Sequence, residues 1–292
     1  MCSGGARAES YLAMALVCPI FRYPAVRVVF VSPRAGDWIE QVSMPDMTMP
    51  DKTALLIGSG PNALNATAWP RTCFDDIVAI NNAWRVRPDW THLVHPEDFP
   101  EDRRPEEVSP EQKIVDYRDY VPVQNALGGF VYAGGTMAFT AGYWVLGAIR
   151  PAVMGFIGCD MVYPAQGQTH FYGTGTADPL RVDISLRNLE AKSARLFLLA
   201  AEQGCLCVNL SQDTSRLVFP RATIAGLRDM ATRHPVLDQQ AIRAAKQEEA
   251  RLGYFVESGR YWQVQDRFDP ACIDALDALW LAAFEASSRQ AT

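Results

Sequence analysis

The feature that most constrains the fold is the repeated pairing of a short apolar run with a chain-breaking signal. TALLIGSG at 53–60 is apolar and stops at glycines, DIVAINNAW at 76–84 stops at paired asparagines, and WTHLVHP at 90–96 stops at a proline. KIVDY at 113–117, AVMGFIGCDMV at 152–162 and GCLCVNLS at 204–211 repeat the pattern. None is too long for a parallel strand buried on both faces. Between them lie helical patterns. TMAFTAGYWVLGAI at 136–149 is apolar on nearly every side, follows Gly134-Gly135, and has Thr136 as its N-cap. ISLRNLEAKSARLFLLAAEQG at 184–204 places leucines and alanines at core-facing spacing and ends at Gly204, with a strand following at once. Strand alternating with helix predicts an α/β, Rossmann-like fold: a mostly parallel sheet with helices on both faces.

Three regions follow from this reading. Residues 1–48 are expected to be an appendage or an over-extended start, residues 49–221 the α/β domain, and residues 222–292 a helical cap. The apolar stretch YLAMALVCPIF at 11–21 is too short to span a bilayer. In the last region, GRYWQVQD is the one stretch that reads as a strand among helices. That helical region is also a candidate surface for an acceptor, a membrane surface or a second subunit.

A chain that is 49% hydrophobic and 21% charged can bury a real core, and a net charge of -6 without a basic stripe gives no footprint for nucleic acid. The seven cysteines form no CxxC pair and have no zinc spacing, which fits a reducing, cytoplasmic setting. No metal site and no tightly held cofactor is expected, since no D-x-D triplet occurs.

The turn Gly58-Ser59-Gly60-Pro61 has three readings: a dinucleotide site, a site for another nucleotide, or only a tight turn. A strand-glycine-helix turn offers backbone N–H groups and a helix N-terminus to an anion. The dinucleotide fingerprint is incomplete, because Pro-Asn-Ala at 61–63 lacks the third glycine and no acid ends the second strand. Asn81 and Asn82 stand there instead, and an amide can read a base or ribose edge without charge. A second candidate is the long loop GCDMVYPAQGQTHFYGTGTADP at 158–179. Gly158 and Asp160 end its strand, the hydroxyls of Tyr163 and Tyr172 suit a phosphate, and His170 suits proton transfer near neutral pH.

Taken in order, these landmarks resemble the bacterial sialyltransferases of glycosyltransferase family forty-two, with their uncharacterised phage and bacterial relatives. They are GSGPNAL at 58–64, AINNAW at 79–84, the glycine turn and apolar helix at 134–149, GFIGCDMVY at 155–163, HFYGTGTADP at 170–179 and CLCVNLSQDTSRLVFPR at 205–221. The resemblance implies the sialyltransferase variant of a nucleotide-sugar transferase fold. It also implies a metal-independent, inverting transfer from a CMP-activated sugar to a glycan or other hydroxyl acceptor. Carried over, Gly58, Ser59, Gly60, Pro61 and Asn81 would hold the nucleotide. The turn of Gly134, Gly135 and Thr136 would sit near the donor, and Tyr163 would meet the phosphate. The family's Asn-Pro falls on His95-Pro96. The chain departs from the pattern in three ways. The family's catalytic histidine falls on Thr174, which leaves His170 or His95 as the base. No arginine precedes Gly134, and only Arg181 and Arg187 lie near enough in sequence to meet a sugar carboxylate. A non-catalytic nucleotide-binding homologue, or a pyrophosphokinase-like enzyme with Asp160 in a metal site, remains the alternative.

Overall fold

The computed structural model describes residues 28–31, 39–42, 52–164, 166–174 and 181–289. The chain divides into two compact units, Met1–Thr48 and Met49–Thr292. In the first, β1 (Val28–Val31) pairs antiparallel with β2 (Ile39–Val42), Val28 opposite Val42. The rest of the expected appendage lies outside the described residues.

The second unit is built on six parallel strands: β3 (Thr53–Ile57), β4 (Asp76–Ile80), β5 (His92–Val94), β6 (Lys113–Val115), β7 (Val153–Ile157) and β8 (Leu206–Asn209). Their order is β6-β5-β4-β3-β7-β8. The two central strands β3 and β7 are buried at every residue, which is why their sequences read as continuous apolar runs rather than alternations. Edge strand β6 exposes Lys113, whose charge blunts that edge. The predicted α/β, Rossmann-like class is the class observed.

Helices α1 (Tyr117–Ala126), α2 (Phe130–Ala133) and α3 (Met137–Trp144) make the crossover from β6 to β7, and α4 (Leu189–Glu202) links β7 to β8. A capping box of Asp116 and Asp119 starts α1, and Thr136 caps α3 by accepting from the Phe139 N–H at 3.2 Å. The two faces of β7 show how the sheet is covered. Phe156 points to Gly142 of α3, which also meets Leu196 of α4, whereas Gly155 opens toward Leu210 and Leu227. One face therefore carries α-helices. The other is covered by tighter 3₁₀ turns at Pro61–Ala68 and Arg228–Thr232, which pack on β7. This differs from the expected helices on both faces, and Asn62, Asn65 and Thr67 in the first of these turns are poor α-helix formers. The helix expected from 184 begins at Leu189, because Asn188 takes the N-cap by accepting from the Ala191 N–H at 3.0 Å.

The C-terminal residues complete the same unit. Helices α5 (Gln239–Leu252) and α6 (Pro270–Arg289) are joined to α4 by buried ion pairs, Arg195–Glu249 and Lys192–Asp277, each at 2.6 Å. Trp280 Nε1 donates to the same Glu249 carboxylate at 2.8 Å. Between these helices the stretch read as a strand is a kinked 3₁₀ segment, Tyr261–Arg267, non-helical only at Val264. Among the described residues no helix is long and apolar enough to cross a membrane.

Candidate functional site

Strand order reverses at β3, which has β4 on one side and β7 on the other. The carboxyl edge beside such a reversal is where open α/β sheets bind ligands. Here that edge brings together Gly58 after β3, Asn81 after β4 and Gly158 after β7.

The glycines have a structural use. The Gly58 N–H donates to the Ile157 carbonyl and the Gly60 N–H to the Gly158 carbonyl, each at 2.8 Å. A Cβ on Gly58 would lie 2.4 Å from the Gly158 oxygen, and Gly158 itself is left-handed with φ +70°. These residues extend the contact of β3 with β7 past the last paired strand residues. Their two N–H groups are thereby spent and Pro61 has none, so of the turn's backbone donors only the Ser59 N–H is left to meet an anion. The helix N-terminus expected there is a 3₁₀ turn. The helix that opens on the cleft is α3, whose Met137 and Ala138 line it.

A small chamber of about 160 Å³ lies over this edge. Gly58, Ser59 and Gly158 reach it from the strand ends, Asn81 and Thr136 from β4 and α3, and Tyr163, His170 and Tyr172 from the loop after β7. That loop is drawn in by a hydrogen bond from the Phe171 N–H to the Ser59 carbonyl at 3.0 Å. His170 Nδ1 lies 2.8 Å from Thr169 Oγ1, and its ring stacks on Tyr172 with centroids 5.0 Å apart. Cys159 also lines the chamber, but burial, reinforced by the Asp160 charge, pushes its thiol far up, so it stays protonated and inert.

Two non-glycine residues at the chamber have left-handed backbone, Asn81 (φ +54°) and Met161 (φ +54°). Such conformations cluster where function over-determines structure. Asn81 carries a second oddity: its side-chain Oδ1 is buried and has no hydrogen-bond partner among the described residues. A buried acceptor left unmade costs about 1–3 kcal/mol.

A larger chamber of about 520 Å³ shares Asn81 and Met137 with the small one. Its polar floor is a network around Asp183. The Tyr261 hydroxyl donates to Asp183 Oδ2 at 2.8 Å, Arg181 Nε donates to the same oxygen at 3.0 Å, and Ser185 Oγ lies 2.6 Å from Oδ1. Burial works against the Asp183 charge, but the hydrogen bonds from Ser185, Tyr261 and Arg181 outweigh it and hold the carboxyl below its ordinary range. Burial, with the neighbouring Asp183 charge, pushes Tyr261 up to about 12. Gly135 permits the network, since a Cβ there would fall 2.1 Å from the Tyr261 oxygen. At the mouth Arg260 pairs with Glu97 at 3.0 Å.

Of the residues singled out from sequence, the chambers collect Gly58, Ser59, Asn81, Gly135, Thr136 and Gly158 together with Tyr163, His170, Tyr172 and Arg181. Others lie elsewhere. His95 is buried against Phe99, ring centroids 5.2 Å apart, with Nδ1 2.9 Å from the Pro96 carbonyl oxygen, so it is no base for the cleft. Asn82 is buried behind Asn81, and Gly60 and Pro61 border neither chamber. Asp160 is held by Asn62 Nδ2 at 2.6 Å and Asn209 Nδ2 at 3.3 Å, outside both chambers. Arg187 pairs with Asp274 at the surface, and Thr174 is exposed. Sequence reasoning took residues 259–266 for a strand and assigned no site residue to 258–262, where the adjacent Tyr261 and Trp262 were the available signal. Among the described residues no group of three or more His, Cys, Asp or Glu is placed to hold a metal ion.

Comparison with known proteins returns no matching family model, no matching curated protein and no matching solved structure.

Proposed function

We propose that the double cleft is the centre of a sialyltransferase-like glycosyl transfer from a CMP-activated sugar. The observation that carries the reading is Asn81, which holds a strained backbone and an unpartnered buried oxygen at the junction of the two chambers. An acceptor atom stored at such cost suits a ligand donor, an amine or hydroxyl of a nucleoside. The larger chamber has the volume and aromatic lining of a small-molecule site. The small chamber has the first turn of α3 and the hydroxyls of Ser59, Tyr163 and Tyr172, all suited to a phosphate.

In this reading the acceptor hydroxyl loses its proton to the imidazole of His170 as its oxygen bonds to the anomeric carbon. The bond from that carbon to the phosphate oxygen breaks, and CMP leaves with the electron pair. The order of the sequence landmarks supports this donor class, as does their convergence on one edge of the sheet. The pyrophosphokinase-like alternative loses its metal carboxylate, since Asp160 is engaged by Asn62 and Asn209. A nucleotide-binding homologue without turnover retains one supporting observation, Thr174 at the family's histidine position.

The test is thermal stabilisation by CMP against UMP, GDP, NAD and ATP, with and without Mg²⁺, followed by a donor screen. A ligand that binds the folded state raises the melting temperature by mass action. A shift with CMP that EDTA leaves intact is expected, and His170→Ala should keep it while lowering turnover about 10²–10⁴-fold. A shift only with ATP and Mg²⁺, or none with CMP, overturns the reading. Equal turnover in His170→Ala removes the histidine as base.

A further inference from the structure

The larger chamber is closed on one side by Ser258–Trp262, a segment outside the 55–221 span on which the sequence resemblance rests. We infer that this segment makes the C-terminal region part of the nucleotide site, with Trp262 as the contact that selects a flat heteroaromatic base. The inference rests on the nucleotide reading above.

The chamber does not suit an anion. It holds two arginines, and both are engaged. Arg181 donates to Asp183 at 3.0 Å and to the Gly135 carbonyl at 3.0 Å, and Arg260 pairs with Glu97. Asp98 lines the same chamber and makes no ion pair among the described residues. Tyr120 lines it too, and burial, followed by the charges of Asp116, Asp98 and Glu97, pushes its hydroxyl up to about 12. The part of a nucleotide that fits is therefore the uncharged nucleoside, with its phosphate toward the α3 end. A nucleoside offers a vicinal diol that a free carboxylate such as Asp98 accepts from, and a flat ring that stacks on an aromatic face.

Trp262 is placed for that stacking. It lines the chamber and remains 56% exposed, so much of its ring is not committed to the core. Its neighbour Tyr261 fixes it. Tyr261 is 3% exposed, packs edge-on to Trp262 with centroids 5.6 Å apart, and is tied through its hydroxyl to Asp183. The segment is thus anchored at Tyr261 and presents Trp262, the arrangement that a rigid stacking platform needs.

The experiment is binding of cytidine, uridine, adenosine and guanosine, and of CMP, to the full chain, to Trp262→Ala and to Trp262→Phe, read by calorimetry. Melting of each apo protein verifies that it is folded. Base stacking on an aromatic side chain predicts about tenfold to a hundredfold weaker binding in Trp262→Ala, with Trp262→Phe restoring most of it. CMP binding to the parent chain that Trp262→Ala leaves unchanged overturns the inference and leaves the nucleotide reading standing. Nucleoside binding that depends on Trp262, without any sugar transfer, supports the inference and overturns the transferase chemistry alone. Failure of the parent chain to bind any of these ligands overturns both.

Discussion

The turn Gly58–Pro61, through Gly58 and Ser59, and the segment Ser258–Trp262 both border the cleft, and they reverse the usual relation between motif and site. The first carries the glycine spacing of a phosphate loop, but its two glycine N–H groups bond to the carbonyls of Ile157, the last residue of β7, and of Gly158 after it, and its missing side chains make room for Gly158. The second carries no motif, yet it supplies Arg260, Tyr261 and Trp262 to the larger chamber. The difference teaches that a glycine turn at a strand end answers first to strand packing. Glycine is required wherever backbones touch, whether or not a ligand follows. The chemistry of the cleft instead comes from side chains delivered by distant parts of the chain.

The largest effect is expected from adding a methyl group to the first region. In Gly58→Ala the new Cβ meets the Gly158 backbone oxygen at 2.4 Å and Cys159 Sγ at 2.6 Å, and the first cannot swing aside without moving the chain. Overpacking of this kind costs about 1–3 kcal/mol, and the backbone partner places this site at the upper end. Urea denaturation should show a clearly lower midpoint. The protein that remains folded should still bind CMP, more weakly to the extent that Gly58 and Gly158 shift in the wall of the small chamber. A variant of parent stability that has lost CMP would instead return the turn to the role of phosphate loop.

A medium effect is expected at the junction between the regions. Asn81 combines φ +54° with a buried, unpartnered Oδ1. Asn81→Gly removes both costs, so the free protein should be at least as stable as the parent. If the oxygen is kept for a ligand donor, CMP should bind about tenfold more weakly, the worth of one hydrogen bond. Lower stability with unchanged affinity would show the residue to be a turn element only.

The sheet was legible in the sequence because its signals are local. Each buried strand announces itself by a continuous apolar run and a terminal breaker, and all six observed parallel strands fall within the six runs. Asn81 was also legible, because a polar residue just past a strand end arrives at one edge whenever the sheet is parallel, whereas Tyr163, His170 and Tyr172 were legible as part of a long loop that the Phe171–Ser59 hydrogen bond brings back to that edge. The connectors were less so. After Gly60 both α and 3₁₀ satisfy the same turn signals, and only the low α propensity of Asn62, Asn65 and Thr67 speaks for the 3₁₀ form that is observed. His95 and Asp160 follow strands too, but their partners, Phe99 and Asn62, decide which way they point, and pairings between such positions have no periodicity to reveal them. Tyr261 is the extreme case, since its meeting with Asp183 needs the whole unit folded first.

The smallest effect is expected at the mouth, where Arg260 and Glu97 join the second region to the loop after β5. Their side chains are 45% and 55% exposed, so solvent screens the pair. Exposed pairs contribute about 0.2–1 kcal/mol, in contrast to the buried Lys192–Asp277 pair, whose charges are beyond the reach of water. Arg260→Gln should therefore leave the melting temperature nearly unchanged and alter nucleoside affinity by less than about threefold, within the range of a rim contact. Arg260 is also the more exposed of the two chamber arginines. If Arg260→Gln abolished binding of CMP but not of cytidine, the guanidinium would be meeting the phosphate. The nucleotide would then lie reversed in the cleft, with its base toward His170 and its charge toward Trp262.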